Sequence, residues 1–126
     1  RSFGEELALC QRYYDTSYAY GTATGTASQQ AGAIYSRYSA EVTNRMDLGV
    51  RWATTMRTTP TVVAYSPSAG TAARVDDNNT SPGGSVSAVV TVSSYEQIST
   101  KGIGGIIVNT ATDNVMSYHY TADAEI

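Results

Sequence analysis

Val115-Met116-Ser117-Tyr118-His119-Tyr120-Thr121-Ala122-Asp123-Ala124 is the stretch whose reading decides the fold. Its side chains alternate in character, and a period of two puts successive residues on opposite faces of an extended chain. The stretch predicts a strand that closes a sheet. Similar alternation runs from Ala33 to Val42. Thr61-Val62-Val63-Ala64-Tyr65-Ser66 predicts a strand that starts just after Pro60, where a missing N–H does least harm. Ser85 to Ser94 predicts another, and Gly105-Ile106-Ile107-Val108-Asn109 is short and apolar, as a buried strand would be.

Turn formers separate these runs: Gly21 to Gly25, Ser66 to Gly70, Asp76 to Gly84, Lys101 to Gly105, and Asp113-Asn114. Ten tyrosines, seventeen threonines and many valines favour strands. No segment of helical period reaches ten residues after Asp15. Short strands at such spacing predict an all-β, antiparallel sandwich or barrel. The 126 residues fit one domain. A chain of this length buries about two thirds of its unfolded surface, so a core needs no metal or disulfide staple.

Charge and composition narrow the function. The net charge is -3, and seven arginines and one lysine are scattered, so no basic patch invites nucleic acid. Apolar runs stop at four or five residues, too short for insertion into a bilayer as a helix. The single cysteine, Cys10, can form no internal disulfide and no zinc cluster, and its apolar neighbours suggest a small buried hydrophobe. The chain suits assembly in a reducing cytoplasm.

Catalytic signals are weak. The lone histidine, His119, lies inside a strand-like run, and no serine has a Gly-x-Ser-x-Gly context. Glu5-Glu6 and Asp76-Asp77 are adjacent pairs, which point apart on a strand and make no ready acid and base. Asp76, Asp77, Asn78 and Asn79 have the donor types of a calcium loop without its spacing, so neither a metal nor a cofactor is expected. Gly102 to Gly105 lacks the lysine and following helix of a phosphate cradle. No enzyme activity is expected. Saccharide binding fits better: it needs aromatic faces and a few placed polar groups. Trp52 and the polar loop from Asp76 to Gly84, expected at the surface, supply those types, although Trp52 within Val50-Arg51-Trp52-Ala53 also suits a core.

The opening segment differs from the rest. In Arg1-Ser2-Phe3-Gly4-Glu5-Glu6-Leu7-Ala8-Leu9-Cys10-Gln11-Arg12-Tyr13-Tyr14, Ser2 and Glu5 have capping-box spacing. Leu7 to Cys10 then give one apolar turn, which is unstable alone and needs something to pack against. This string resembles the linker that precedes the C-terminal domain of bacteriophage tail-fibre and virion-fibre proteins, where it follows a carbohydrate-module-like domain. The family form is Arg-Ser-Tyr/Phe-Gly-Glu-Glu-Leu-Ala-Leu-Cys-Gln-Arg-Tyr-Tyr. Met56-Arg57-Thr58-Thr59-Pro60-Thr61 is similar to the family's Met-Arg-x-x-Pro-Thr, and the ending Ala122-Asp123-Ala124-Glu125-Ile126 to its Ala-Asp-Ala-Glu-Leu.

The resemblance implies a jelly-roll-like β-sandwich at a fibre tip, assembled as a parallel homotrimer below upstream fibre domains. Residues 1–14 would be a linker and short helix at the trimer axis, and 15–126 the tip. Leu7, Leu9, Cys10 and Tyr13 become candidate trimer contacts. Asp76, Asp77, Asn78, Asn79 and Trp52 become candidate receptor contacts, with a host cell-surface glycan as the expected partner. The site of action would be the virion. A purely structural trimerisation or capsid-decoration module is the alternative, and a capsule depolymerase is a distant third.

Overall fold

Val115–Asp123 is a strand with partners on both of its edges. The computed structural model describes residues 1–19, 21–27, 33–39, 45–77, 88–108 and 115–125. In chain order the elements are α1 (Phe3–Gln11), β1 (Tyr14–Thr16), β2 (Ile34–Ser39), β3 (Arg45–Arg51), β4 (Thr61–Tyr65), β5 (Arg74–Asp77), β6 (Ala88–Glu96), β7 (Gly102–Val108) and β8 (Val115–Asp123).

Every strand pairing among the described residues is antiparallel. The strands form one eight-stranded sheet in the order β1-β8-β2-β3-β7-β6-β5, with β4 also on β8. β1 and β4 both pair with Thr121–Asp123, so they flank β8 on opposite edges. β2 and β5 likewise flank Met116 and Ser117. The β5–β8 contact brings the far end of the path back to β8, and the sheet curls around its core. The expected antiparallel all-β character is present. Alternation along a strand fixes which side chains face inward, but it does not distinguish two facing sheets from one curled sheet.

The core lies on the concave side. Met116, Tyr118, Tyr120, Ala122 and Ala124 supply it from β8 and the residue just beyond. Val62 and Ala64 join from β4, Val75 from β5, Val90 and Val92 from β6, and Ile103, Ile106 and Val108 from β7. Each large aliphatic side chain buried here stabilises the fold by about 1.5–3 kcal/mol. Trp52 and Met56 close the end of the core. Trp52 Nε1 donates to Ser99 O at 2.9 Å, and the Met56 amide donates to Thr100 O at 2.8 Å.

Several boundaries differ from expectation. β7 starts at Gly102 rather than Gly105, so the glycine-rich stretch is strand and not turn. Gly102 is needed there because a Cβ would lie 2.2 Å from Val50 O on β3. β3 lacks a clean two-residue alternation, and its register on β7 shifts between Asp47 and Val50. α1 is longer than one turn: nine residues begin at Phe3, directly after the Ser2 cap. Both arms of the capping box are present. The Glu5 amide donates to Ser2 Oγ at 3.3 Å, and the Ser2 amide donates to Glu5 Oε2 at 2.8 Å. Those bonds to Ser2 lower the Glu5 pKa, the backbone bond most.

Candidate functional site

Residues opposite one another in an antiparallel ladder share a face, so register alone assembles the convex side of β1, β8 and β4. Tyr14, Asp123 and Thr61 form one row across the three strands. Thr16, Thr121 and Val63 form the next, and His119 with Tyr65 the third. Between these rows lies a groove of about 460 Å³. Thr121, almost fully buried, and Val63 make its floor. Tyr14 and Tyr65 are its aromatic walls, and Asp123 and Glu125 put two carboxylates on its rim. Thr24 reaches in from the loop after β1, where its Oγ1 is 2.9 Å from the Tyr14 hydroxyl. Among the described residues, neither Lys, Arg nor His lines the groove.

The inner end is closed by a tightly packed cluster. The Tyr18 ring stacks on His119 with centroids 4.1 Å apart and planes at 14°, and it meets Tyr65 edge-on at 6.1 Å. Burial raises the Tyr18 pKa, offset in part by the neighbouring Gly25 amide, which lies outside good hydrogen-bond geometry. Ser17 Oγ sits 3.0 Å from His119 Nδ1 and accepts from the Tyr120 amide at 2.8 Å. A serine and histidine at this distance have the spacing of a nucleophile and its base. Here the imidazole is fully buried under Tyr18, so the pair ties the loop to β8.

A second hollow, of about 530 Å³, lies between Arg51, Thr54, Thr55 and Lys101. Its floor is Trp52, and its charged groups are basic. Among the described residues it lacks the paired aromatic walls of the groove.

The receptor residues expected from sequence lie elsewhere. Asp76 and Asp77 are buried in β5, not exposed in a loop. The Asp76 carboxylate accepts hydrogen bonds from the Ser66 hydroxyl, the Ser68 amide at 2.8 Å and the Ser68 hydroxyl at 2.9 Å. Its acceptor capacity is therefore used inside the fold. A run of polar residues suggests a loop, but a carboxylate with three nearby donors is satisfied in the interior. Trp52 is 5% exposed and belongs to the core, tilted against Tyr120 at 5.4 Å. Asn78 and Asn79 lie outside the described residues. Leu7, Leu9, Cys10 and Tyr13 are all exposed on or just after α1, so Cys10 is not the buried hydrophobe its neighbours suggested. The Arg57 guanidinium lies 5.2 Å over the Tyr13 ring.

The groove residues went unnoticed in the sequence because register makes them neighbours. Tyr14, Tyr65 and Asp123 are separated by dozens of residues. The available signal was parity: Thr61, Val63 and Tyr65 share a face of one strand, and Thr121 and Asp123 of another. Among the described residues no group of three or more His, Cys, Asp or Glu is placed to hold a metal ion. No helix in the described residues is long and apolar enough to cross a membrane. No family model, curated protein or solved structure matches this chain.

Proposed function

We propose that this chain is the tip domain of a bacteriophage fibre, which assembles as a homotrimer and binds a host cell-surface receptor, a glycan. On this reading the curled sheet is the jelly-roll-like sandwich of one subunit. Residues 1–14 lie at the threefold axis, 15–126 form the tip, and the protein acts on the virion. The observation that carries the reading is the state of α1. It is a well-capped helix of nine residues with no buried side chain, and it exposes Phe3, Leu7 and Leu9. A helix this short is marginal in water and gains most of its stability from packing. Exposed leucines on such a helix are explained when sister helices cover them.

Light scattering on the full chain at micromolar concentration tests the assembly. Three times the 13.4 kDa chain mass is expected, and a stable monomer contradicts the reading. Binding of the labelled trimer to the natural host's envelope then tests the receptor role. A trimer that does not bind leaves the structural alternative, a trimerisation module without a receptor.

A further inference from the structure

The geometry points to the groove between Tyr14 and Tyr65 as a site for a neutral saccharide, closed to anionic sugars by Asp123 and Glu125. This deepens the receptor-binding reading and rests on it. The groove has the size of a small-ligand site, and it is built on paired strands, which hold side chains more rigidly than loops do. Sugars present flat C–H faces and rings of hydroxyls. Tyrosine offers a large apolar face with little conformational entropy to lose. Tyr14 is 38% exposed, so part of its ring is open to a ligand, and its hydroxyl is anchored by Thr24.

The polar lining sets the class of sugar. A carboxylate only accepts hydrogen bonds, and a sugar hydroxyl donates, so Asp123 and Glu125 complement a polyol. Asp123 is steadied for this by the Glu125 amide, which donates to Asp123 Oδ1 at 2.9 Å. The threonine hydroxyls of Thr24 and Thr61 can donate in return. With two carboxylates and no cation among the described lining residues, a uronate or sialate carboxylate meets like charge. The basic hollow at Arg51 and Lys101 is the place where an anionic sugar would collect instead.

Amide chemical-shift mapping of the full chain tests this, because Val63 and Thr121 report the groove while Thr54 and Lys101 report the basic hollow. The probes are maltotriose, mannotriose and triacetylchitotriose as neutral sugars, and trigalacturonate as the anionic one. At least one neutral trisaccharide is expected to shift Val63 and Thr121, and trigalacturonate is expected to leave them in place. Tyr65→Ala should weaken that binding at least tenfold. Thr61→Trp, on an exposed position, should fill the groove and abolish binding without touching the core. Asp123→Asn should keep the neutral sugar and admit trigalacturonate. If no neutral probe moves the groove amides, or trigalacturonate moves them in the unmodified chain, the proposal falls. Host-cell binding separates the two levels. Cell binding that survives Thr61→Trp overturns the groove and leaves the receptor reading standing, whereas an unmodified trimer that never binds cells removes the receptor reading itself.

Discussion

Gly70 and Gly25 decide how the two loops over β8 meet. Both have positive φ, +71° and +82°, and a Cβ on Gly70 would stand 2.0 Å from Gly25 O. Gly70→Ala therefore adds a backbone clash to left-handed strain and should cost about 3 kcal/mol, roughly 10 °C in Tm. Gly21→Ala is the matched control. Its φ is +86° but nothing lies within 4 Å, so only the strain of about 1 kcal/mol remains. Equal losses in the two variants would mean that the loops do not touch as described. Asp76 is a second residue whose role its neighbours in sequence disguise. Asp76→Ala strands the donors of Ser66 and Ser68, so a loss of about 3 kcal/mol is expected in thermal or urea unfolding. A surface-loop aspartate would change stability by less than about 0.5 kcal/mol.

At the scale of elements, β8 shows what the sequence made legible. Its alternation marked a strand correctly, and Met116, Tyr118, Tyr120 and Ala122 do face the core. Alternation usually means one wet face, yet Ser117, His119 and Thr121 on the opposite face are also buried. Over His119 that second burial comes from the loop after β1, whose Tyr18 stacks on it, and no local pattern encodes it. The capping box of α1 was legible because it is local, spanning Ser2 to Glu5. β5 was not, because Asp76 and Asp77 are satisfied only by tertiary partners.

The double burial of β8 has a pH signature. Burial raises the pKa of Tyr118, and burial together with the nearby Asp15 carboxylate raises that of Tyr120. The folded state thus holds these phenol protons more tightly than the unfolded chain, whose tyrosines titrate near 10. Their contribution is fully present below about pH 10 and is lost as pH rises beyond it. Thermal melts should be flat from pH 7 to about 9 and then fall. Among the described residues the buried Tyr118 hydroxyl has no hydrogen-bond partner, so Tyr118→Phe should be neutral or stabilising by about 1 kcal/mol at pH 7. The same variant should flatten the alkaline decline. A strongly destabilised Tyr118→Phe would show that the hydroxyl has a partner after all.

At the scale of the whole molecule, the proposed assembly turns on the balance between α1 and the sheet. The sheet encloses its own core and needs no second copy to bury it. α1 does not share in that core: it is held near β1 through the chain itself and a few local bonds, including Tyr13 N to Cys10 O at 3.0 Å. Association should therefore be separable from folding. Leu7→Asp or Leu9→Asp places a charge where the proposed threefold contact would desolvate it, at a cost of several kcal/mol per trimer. Neither side chain touches the sheet core, so each variant should remain a folded monomer with near-native circular dichroism and a mass of one chain by light scattering. Two different results would each contradict this. A trimer of unchanged stability would show that α1 is not the interface, and a variant that unfolds would show that α1 is part of the fold rather than an appendage to it.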